Sequence, residues 1–171
     1  MANATAALIR EPDGESGPWI FDLPVKAATN IFEGTLVAQS TADGGLVPYS
    51  TATTQVCVGV AQHSASNSGG ALGDKRCRVE TNRVYIFTGS GFTEASFIGA
   101  LVYGTDDHTV INSSNSQARE AVGFFMGMEP DGRVRVLVAP WLAQIVNVLQ
   151  QLTDTPASAD ALRDNIVASF G

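Results

Sequence analysis

Apolar and polar positions alternate through the middle of the chain, in a pattern that occurs twice. The first copy runs from Gly-Thr-Leu-Val at 34–37 to Val-Gly-Val at 58–60. The second runs from Gly-Ala-Leu-Val at 99–102 to Val-Gly-Phe at 122–124. A period of two residues is typical of β-strands with one buried face. The sequence therefore predicts a β body with two related halves, over residues 25–140.

Turn signals separate the predicted strands. Asp43-Gly44-Gly45 supplies residues that tolerate a positive φ, as a tight hairpin requires. Glu-Pro-Asp-Gly at 129–132 also predicts a hairpin, because proline presets the turn and glycine tolerates its exit. The small, polar segments at 63–73 and 112–117 are expected to be loops. Short strands at regular spacing with such turns predict a mainly β fold, either a compact barrel-like body or a sandwich.

The first 24 residues are expected to form an extended N-terminal arm. Its prolines and glycines prevent a continuous helix and weaken any central strand. The end of the arm is nevertheless apolar, with Trp19, Ile20, Phe21 and Leu23 close together. Two interpretations remain open: these side chains lie across the domain's own core, or the arm reaches a neighbouring subunit.

The pattern changes after Pro140, where apolar residues recur at intervals of three and four. This spacing predicts a helix over 141–152 with one apolar face. That face carries Leu142, Ile145, Leu149 and Leu152. Thr155 as the N-cap and Pro156 in the first turn predict a second helix to about residue 169.

A single helix of this length is marginal in water, because ordering its backbone costs more than four aliphatic side chains return. The helix over 141–152 therefore needs a partner. Its own β domain, the second helix and other copies of itself remain open as that partner. The heptad-like spacing favours symmetric association about as strongly as packing within the chain.

Charge argues against nucleic acid as a partner, and the distribution of apolar residues argues against a membrane. The chain has 171 residues, enough for one good core. Its net charge of −7 disfavours nucleic acid, whose phosphates demand a basic surface. The most basic stretch, 75–83, is interrupted by Glu80 and is more typical of a solvated strand. No stretch approaches the ~20 apolar residues of a membrane-spanning helix, and the first residues lack the pattern of a signal peptide.

Cys57 and Cys77 lie on separate predicted strands and are able to pair only if those strands are neighbours. Without an export signal, reduced thiols are the expected state. The spacing around them matches no metal site.

Few residues suggest catalysis. His63 precedes Ser64 and Ser66, but a base and a nucleophile also need an orienting acid and an oxyanion site. Asp106 and Asp107 are better explained as turn formers than as calcium ligands, because His108 and Thr109 follow them. We therefore expect no catalytic residue, cofactor or metal, and a protein that is not an enzyme.

From residue 25 to 140 the order of segments resembles the small β-rich head decoration proteins, or capsid cement proteins, of tailed bacteriophages. In that family a Gly-x-Leu-Val strand leads to a Val-Gly-Val-Ala strand, here 58–61. An Ala-Leu-Val-Tyr segment with a turn follows, here 100–103, and then a Val-Gly strand at 122–123. A Val-x-Val strand ends the pattern, here 134–138.

The resemblance implies a homotrimer with a β-barrel-like or β-tulip body, bound to the outer surface of the virion capsid where major capsid protein subunits meet. The chain departs from shorter family members in its N-terminal arm and its helical tail. We expect the arm to contact the capsid, through Pro18, Trp19, Ile20 and Phe21. We expect the helix to contact other copies, through Trp141, Leu142, Ile145, Leu149 and Leu152.

Two other classes of function remain as alternatives. The first is a β-rich module of a virion that binds carbohydrate or a cell surface through its polar loops, with Tyr49, Tyr85 and Tyr103 stacking on sugars. The second is a hydrolase that depends on His63.

Overall fold

The computed structural model describes residues 18–116 and 118–154, with side chains described as far as Gln150. The protein is mainly β, as the sequence pattern predicts. The strands are β1 (Trp19–Pro24), β2 (Thr29–Ile31), β3 (Leu36–Ser40), β4 (Leu46–Pro48), β5 (Gln55–Ala61), β6 (Ala65–Asn67), β7 (Arg76–Thr81), β8 (Arg83–Ser90), β9 (Leu101–Gly104), β10 (Thr109–Ile111), β11 (Ala121–Met128) and β12 (Val134–Val138). The helix is α1 (Pro140–Asp154).

The arm before Pro18 and the predicted second helix from Thr155 onwards lie outside the described residues. Within the described part of the chain, no helix is both long enough and apolar enough to cross a bilayer.

Five strands of the N-terminal half form an antiparallel sheet in the order β1-β7-β5-β3-β4. Its two edges curl together, because Val25, directly after β1, pairs in parallel with Leu46 of β4. The Lys26 N–H also donates to the Leu46 carbonyl at 3.0 Å. We call this sheet the open barrel. Since β1 pairs with β7 over its whole length, the β body begins at Trp19 and not at residue 25.

The C-terminal strands form a closed barrel in the order β10-β8-β12-β11-β9, in which β9 pairs with β10 again. Its closure is the parallel pairing of β10 with β8, from Thr109–Thr88 to Ile111–Ser90. The remaining strands, β2 and β6, pair with each other outside both barrels.

The two barrels share one pairing order. The order β4-β3-β5-β7-β1 in the open barrel matches β10-β9-β11-β12-β8 in the closed barrel. The registers also agree, since Leu36 pairs with Val60 as Leu101 pairs with Phe124. The repeat in the sequence therefore corresponds to a repeat of the backbone, with β1 and β8 as a further equivalent pair.

A bulge and a glycine occupy equivalent places in both barrels. The register shifts by one residue just before Gly59 of β5 and just before Gly123 of β11. A Cβ atom on Gly59 would overlap the Glu80 carbonyl oxygen, and one on Gly123 would overlap the Leu137 carbonyl oxygen. Only glycine lets the bulged strand approach the next strand this closely.

Each barrel has its own interior core, because alternate strand residues point inward. The core of the open barrel contains Val25, Ile31, Val37, Leu46, Ala61, Ala65, Cys77 and Val79. The core of the closed barrel contains Phe87, Val102, Val110, Val122, Phe125, Val134, Val136 and Val138. Outward-facing residues of the open barrel join this second core, namely Leu36, Ala38, Cys57 and Val60. The two barrels are therefore packed directly on each other.

Helix α1 follows β12 and packs on the outside of the closed barrel. Ala143, with Val146 beside it, contacts an apolar patch on β9 and β11. The patch consists of Leu101, Tyr103, Ala121 and Phe124. The Tyr103 hydroxyl also lies 3.0 Å from Asn147 Oδ1. The helix thus does pack on its own domain, but through a face other than the predicted leucine stripe.

Candidate interaction surface

One end of the open barrel, where β1 begins, is an apolar groove of about 370 Å³. We call this groove the mouth of the open barrel. Trp19 and Phe21 line it from β1, and Val56 and Val58 line it from β5. Within the part of the chain that the structure describes, no lining residue carries a charge. A groove of this chemistry is suited to apolar side chains of a partner.

The outward face of α1 forms a second apolar patch. It consists of Trp141, Ile145, Val148 and Leu149, whose exposed fractions run from 47% to 53%. These positions lie on one side of the helix because Ile145 follows Trp141 by four residues, and Val148 and Leu149 follow Ile145 by three and four. From Pro140 to Gln150 the helix contains no charged residue. An outward helix face normally carries charges, so this one is fitted to contact protein.

Trp19 and Trp141 join the two patches. Their rings are stacked, with centroids 5.4 Å apart and planes inclined by 6°. Trp141 lines the mouth of the open barrel and also belongs to the helix face. The mouth and the helix face therefore form one continuous uncharged surface, which brings together segments about 120 residues apart in the sequence.

The predicted capsid-contact residues divide between two faces of β1. Trp19 and Phe21 line the mouth, whereas Ile20, at 52% exposure, points to the opposite face because side chains alternate along a strand. Pro18 is exposed just before the strand.

The predicted oligomer-contact residues lie mostly on the outward helix face. Ile145 and Leu149 are in the patch with Trp141, and Leu142 is exposed at the edge of that face. Leu152 lies in the last turn of α1, where the structure describes no side chains. Sequence reasoning omitted Val148 from the helix face, and it omitted Val56 and Val58 from the groove. A helical wheel finds Val148, but the two valines required the strand topology.

Glu120 lies beneath this surface, where α1 and the two barrels meet. Its carboxylate accepts a hydrogen bond from the Cys57 N–H at 2.9 Å and another from the Gln144 side chain. Burial raises the pKa of Glu120, and the Cys57 hydrogen bond offsets part of that rise. The contact fixes the first turns of α1 relative to both barrels.

The two candidate nucleophiles have structural partners. Ser64 Oγ accepts a hydrogen bond from the Glu33 N–H at 3.0 Å. Ser66 Oγ donates to Asn30 Oδ1 at 2.7 Å. Both serines therefore support the loop beside the β2–β6 pair, while His63 is exposed. The geometry gives no support to a base–nucleophile pair.

Asp106 and Asp107 form a turn. Asp106 Oδ1 accepts hydrogen bonds from the His108 N–H at 2.9 Å and the Thr109 N–H at 2.7 Å. His108 Nδ1 lies 2.7 Å from Asp107 Oδ1, and this hydrogen bond raises the pKa of His108. The expectation of a turn-forming aspartate pair is in agreement with this geometry.

The three tyrosines are poorly placed for stacking on a sugar. Tyr49 is 2% exposed and Tyr103 is 8% exposed. The hydroxyl of Tyr85 donates to the buried Glu80 carboxylate. The carbohydrate-binding alternative therefore loses the expected stacking tyrosines and rests on the polar loops alone.

Cys57 and Cys77 are both free and buried. Cys57 faces outward from the open barrel into the second core, and Cys77 faces into the open barrel's own core. They lie on neighbouring strands but on opposite faces, so they are not placed to pair. Burial raises the pKa of both thiols.

No family model matches this sequence, and no curated protein matches it either.

Proposed function

We propose that the protein is a structural virion protein, a capsid decoration or cement protein of a tailed bacteriophage. In this proposal a homotrimer binds the outer surface of the phage head and stabilises it by bridging major capsid protein subunits. The observation that carries the proposal is the uncharged surface in which Trp19 stacks on Trp141. It lies on a β body in which the candidate nucleophiles, Ser64 and Ser66, have structural partners instead.

The chemistry of this surface favours association with protein. Aromatic anchors dominate the energies of protein interfaces, and charged residues are depleted at interface centres. Both patches have these properties. The low charge of the chain, 16% of its residues, fits a protein with much of its surface covered by partners.

The mechanism that we propose is mechanical. Packaged DNA presses the shell outward, and a trimer that spans adjacent capsid subunits resists their separation. Three weak contacts that are engaged together hold far longer than one contact does. A closed cyclic trimer presents three equivalent arms, which suits a point of local symmetry on a shell. The contact to the shell is assigned to the N-terminal arm, with Pro18 and Ile20 at its junction with the body. Trp19 and Phe21, which we expected in the same contact, line the mouth of the open barrel and are not assigned to the shell.

The test is binding of the purified protein to expanded heads of its phage that lack decoration protein. We expect stoichiometric co-sedimentation with the heads and a higher temperature of head disruption. Deleting residues 1–17 leaves β1 complete, so this variant is expected to keep its oligomeric state and to lose head binding. If the shortened variant binds as well as the full chain, the arm assignment is wrong. If the full chain does not bind, the proposed function is wrong.

A further inference from the structure

The mouth of the closed barrel is covered within the chain. This mouth is the set of strand ends that correspond to the mouth of the open barrel. It lies against the outer face of β3, β5 and β7. The Leu36 N–H donates to the Asp107 carbonyl at 2.7 Å, and Gln62 Nε2 donates to the Tyr85 hydroxyl at 2.8 Å. The closed barrel thus packs its mouth on the outer face of the open barrel.

The equivalent mouth of the open barrel is the apolar groove. The strand registers make Val56 the counterpart of Glu120, and Gln39 the counterpart of Gly104. Glu120 at the covered mouth bonds to the neighbouring barrel, whereas Val56 at the open mouth is 40% exposed. The same structural feature is therefore partnered in one barrel and unpartnered in the other.

The matching outer face of the closed barrel is occupied by α1. This face, on β9 and β11, corresponds to the face that the open barrel offers to its neighbour. In the closed barrel Ala143 of α1 covers it, and the helix then presents its own outward face at the same place. The helix thus substitutes for a third barrel and carries an apolar surface to the outside.

We propose that the mouth of the open barrel receives the outward face of α1 from a second copy of this chain. The contact is head-to-tail: one copy contributes Trp19, Phe21 and Val56, and the next contributes Ile145, Val148 and Leu149. It repeats between chains the mouth-to-outer-face packing that the two barrels make within a chain. The number of copies in the ring, three, rests on the proposed function, whereas the head-to-tail contact does not.

Two features favour a second copy as the occupant. Both patches are uncharged, so each matches the chemistry of the other, although the chains carry a net charge of −7. The patches also meet at Trp141, which lies in both. A heterologous contact generates a ring where the rotation between copies closes and a filament where it does not. In the proposed ring the axis lies near Trp141, where the two patches of each copy meet.

The test uses two variants that each remove one side of the contact. Val56→Asp places a charge in the mouth, and Ile145→Asp places one on the helix face. Both side chains are at least 40% exposed, so the fold is expected to survive, as circular dichroism and thermal unfolding will show. Ile86→Asp is the matched control, because Ile86 is 45% exposed and its counterpart in the open barrel is already an aspartate, Asp22.

We expect light scattering to give three times the 17.9 kDa chain mass for the wild type and for Ile86→Asp. Each of the other two variants alone is expected to be a monomer. An equimolar mixture of Val56→Asp and Ile145→Asp is expected to give a dimer, because it retains one intact mouth and one intact helix face. A seam made only of helices predicts a different result: Val56→Asp stays trimeric, and mixing creates no new species. That result contradicts the proposal.

A cross-link locates the contact directly. Chains with Val56→Cys and chains with Ile145→Cys are mixed and oxidised, while the buried Cys57 and Cys77 serve as an internal control. We expect a covalent dimer from the mixture and none from either variant alone. A dimer from Ile145→Cys alone indicates a helix seam instead.

If the wild type is a monomer and associates only after residues 155–171 are deleted, then the chain covers its own surface. That outcome overturns the proposal. Head binding by a monomer overturns this inference and the proposed trimer, and it leaves only the proposed binding to the capsid in place. A head-to-tail trimer that does not bind heads supports this inference and contradicts the proposed function.

Discussion

The open and closed barrels have the same strand order and registers, but only the second is closed. Three residue pairs join β8 to β10, whereas one bridge, Val25 to Leu46, joins the edges of the open barrel. The counterpart of Thr88 in the open barrel is Pro24, which has no N–H to donate. The repeated pattern therefore accompanies the same strand pairing in both halves, whereas Pro24 removes a backbone donor at the seam of the open barrel.

The interiors of the two barrels are also filled by different residues at equivalent positions. Phe125 fills the closed barrel and is stacked on Phe92 at 5.3 Å. Its counterpart in the open barrel is Ala61, whose neighbours include Ile31 and Ala65 from the additional β2–β6 pair. The closed barrel is therefore filled by its own strands, and the open barrel uses side chains from outside the repeat.

The largest expected effect tests whether the two bulges are equivalent. Gly59→Ala and Gly123→Ala each place a Cβ atom on a backbone carbonyl oxygen, and a backbone atom has no easy way to move aside. Each variant is expected to lose about 4–5 kcal/mol of unfolding free energy, among the largest single-residue effects. Urea unfolding measures it. Gly69→Ala, whose Cβ atom meets nothing within 4 Å, is the control and is expected to change little. A large loss in only one barrel contradicts the equivalence.

The next effect tests how the two interiors are filled. Phe125→Ala leaves a cavity in the closed barrel and is expected to cost about 3–5 kcal/mol. Ile31→Ala removes the side chain that enters the open barrel from β2 and is expected to cost about 2–5 kcal/mol. Thermal and urea unfolding measure both losses. Phe97→Ala, at a residue 86% exposed, is the control. If Ile31→Ala is as mild as the control, then β2 does not contribute to the open barrel's core.

The smallest expected effect is a pH dependence of the unfolding free energy, which comes from Glu120 at the covered mouth of the closed barrel. Burial raises the pKa of Glu120 above its ordinary 4.5, so the folded state binds this proton more tightly than the unfolded state. Stability from this group is therefore lost as pH rises from the ordinary value through the folded value. Glu120→Gln removes that dependence, so unfolding free energies between pH 4 and 7 should shift in favour of the variant as pH rises.

Glu94→Gln, in the exposed loop before β9, controls for the loss of one negative charge. Parallel pH profiles for Glu120→Gln and the wild type are the outcome that contradicts burial of Glu120.

Local pattern was sufficient for much of the fold. The alternation of apolar residues predicted a mainly β body, and the spacing after Pro140 predicted α1. The equivalence of β1 with β8 was not visible, because Trp19–Pro24 and its counterpart share no residue type at any matched position. The sequence also predicted an arm up to residue 24, since a proline-flanked segment resembles a linker until its partner β7 is known.

The candidate surface was predicted only as separate parts. The aromatic end of the arm and the leucine-rich helix face were both identified, but with different roles. Their junction, the Trp19–Trp141 stack, depends on contacts between distant segments that no sequence spacing reveals. The same limit applies to Val56 and Val58, which look like ordinary core valines until the strand order exposes them at the mouth.

The sequence by itself determined the element types, the repeat and the scarcity of charged residues, because these follow from local periodicity and composition. Only the tertiary structure decided which apolar residues remain outside. Burial is a property of neighbours in space: barrel-on-barrel packing covers Leu36 and Val60, and α1 covers Leu101 and Phe124. Among the apolar residues that stay exposed, those of the mouth of the open barrel and of the outward helix face are joined into one surface by Trp19 and Trp141.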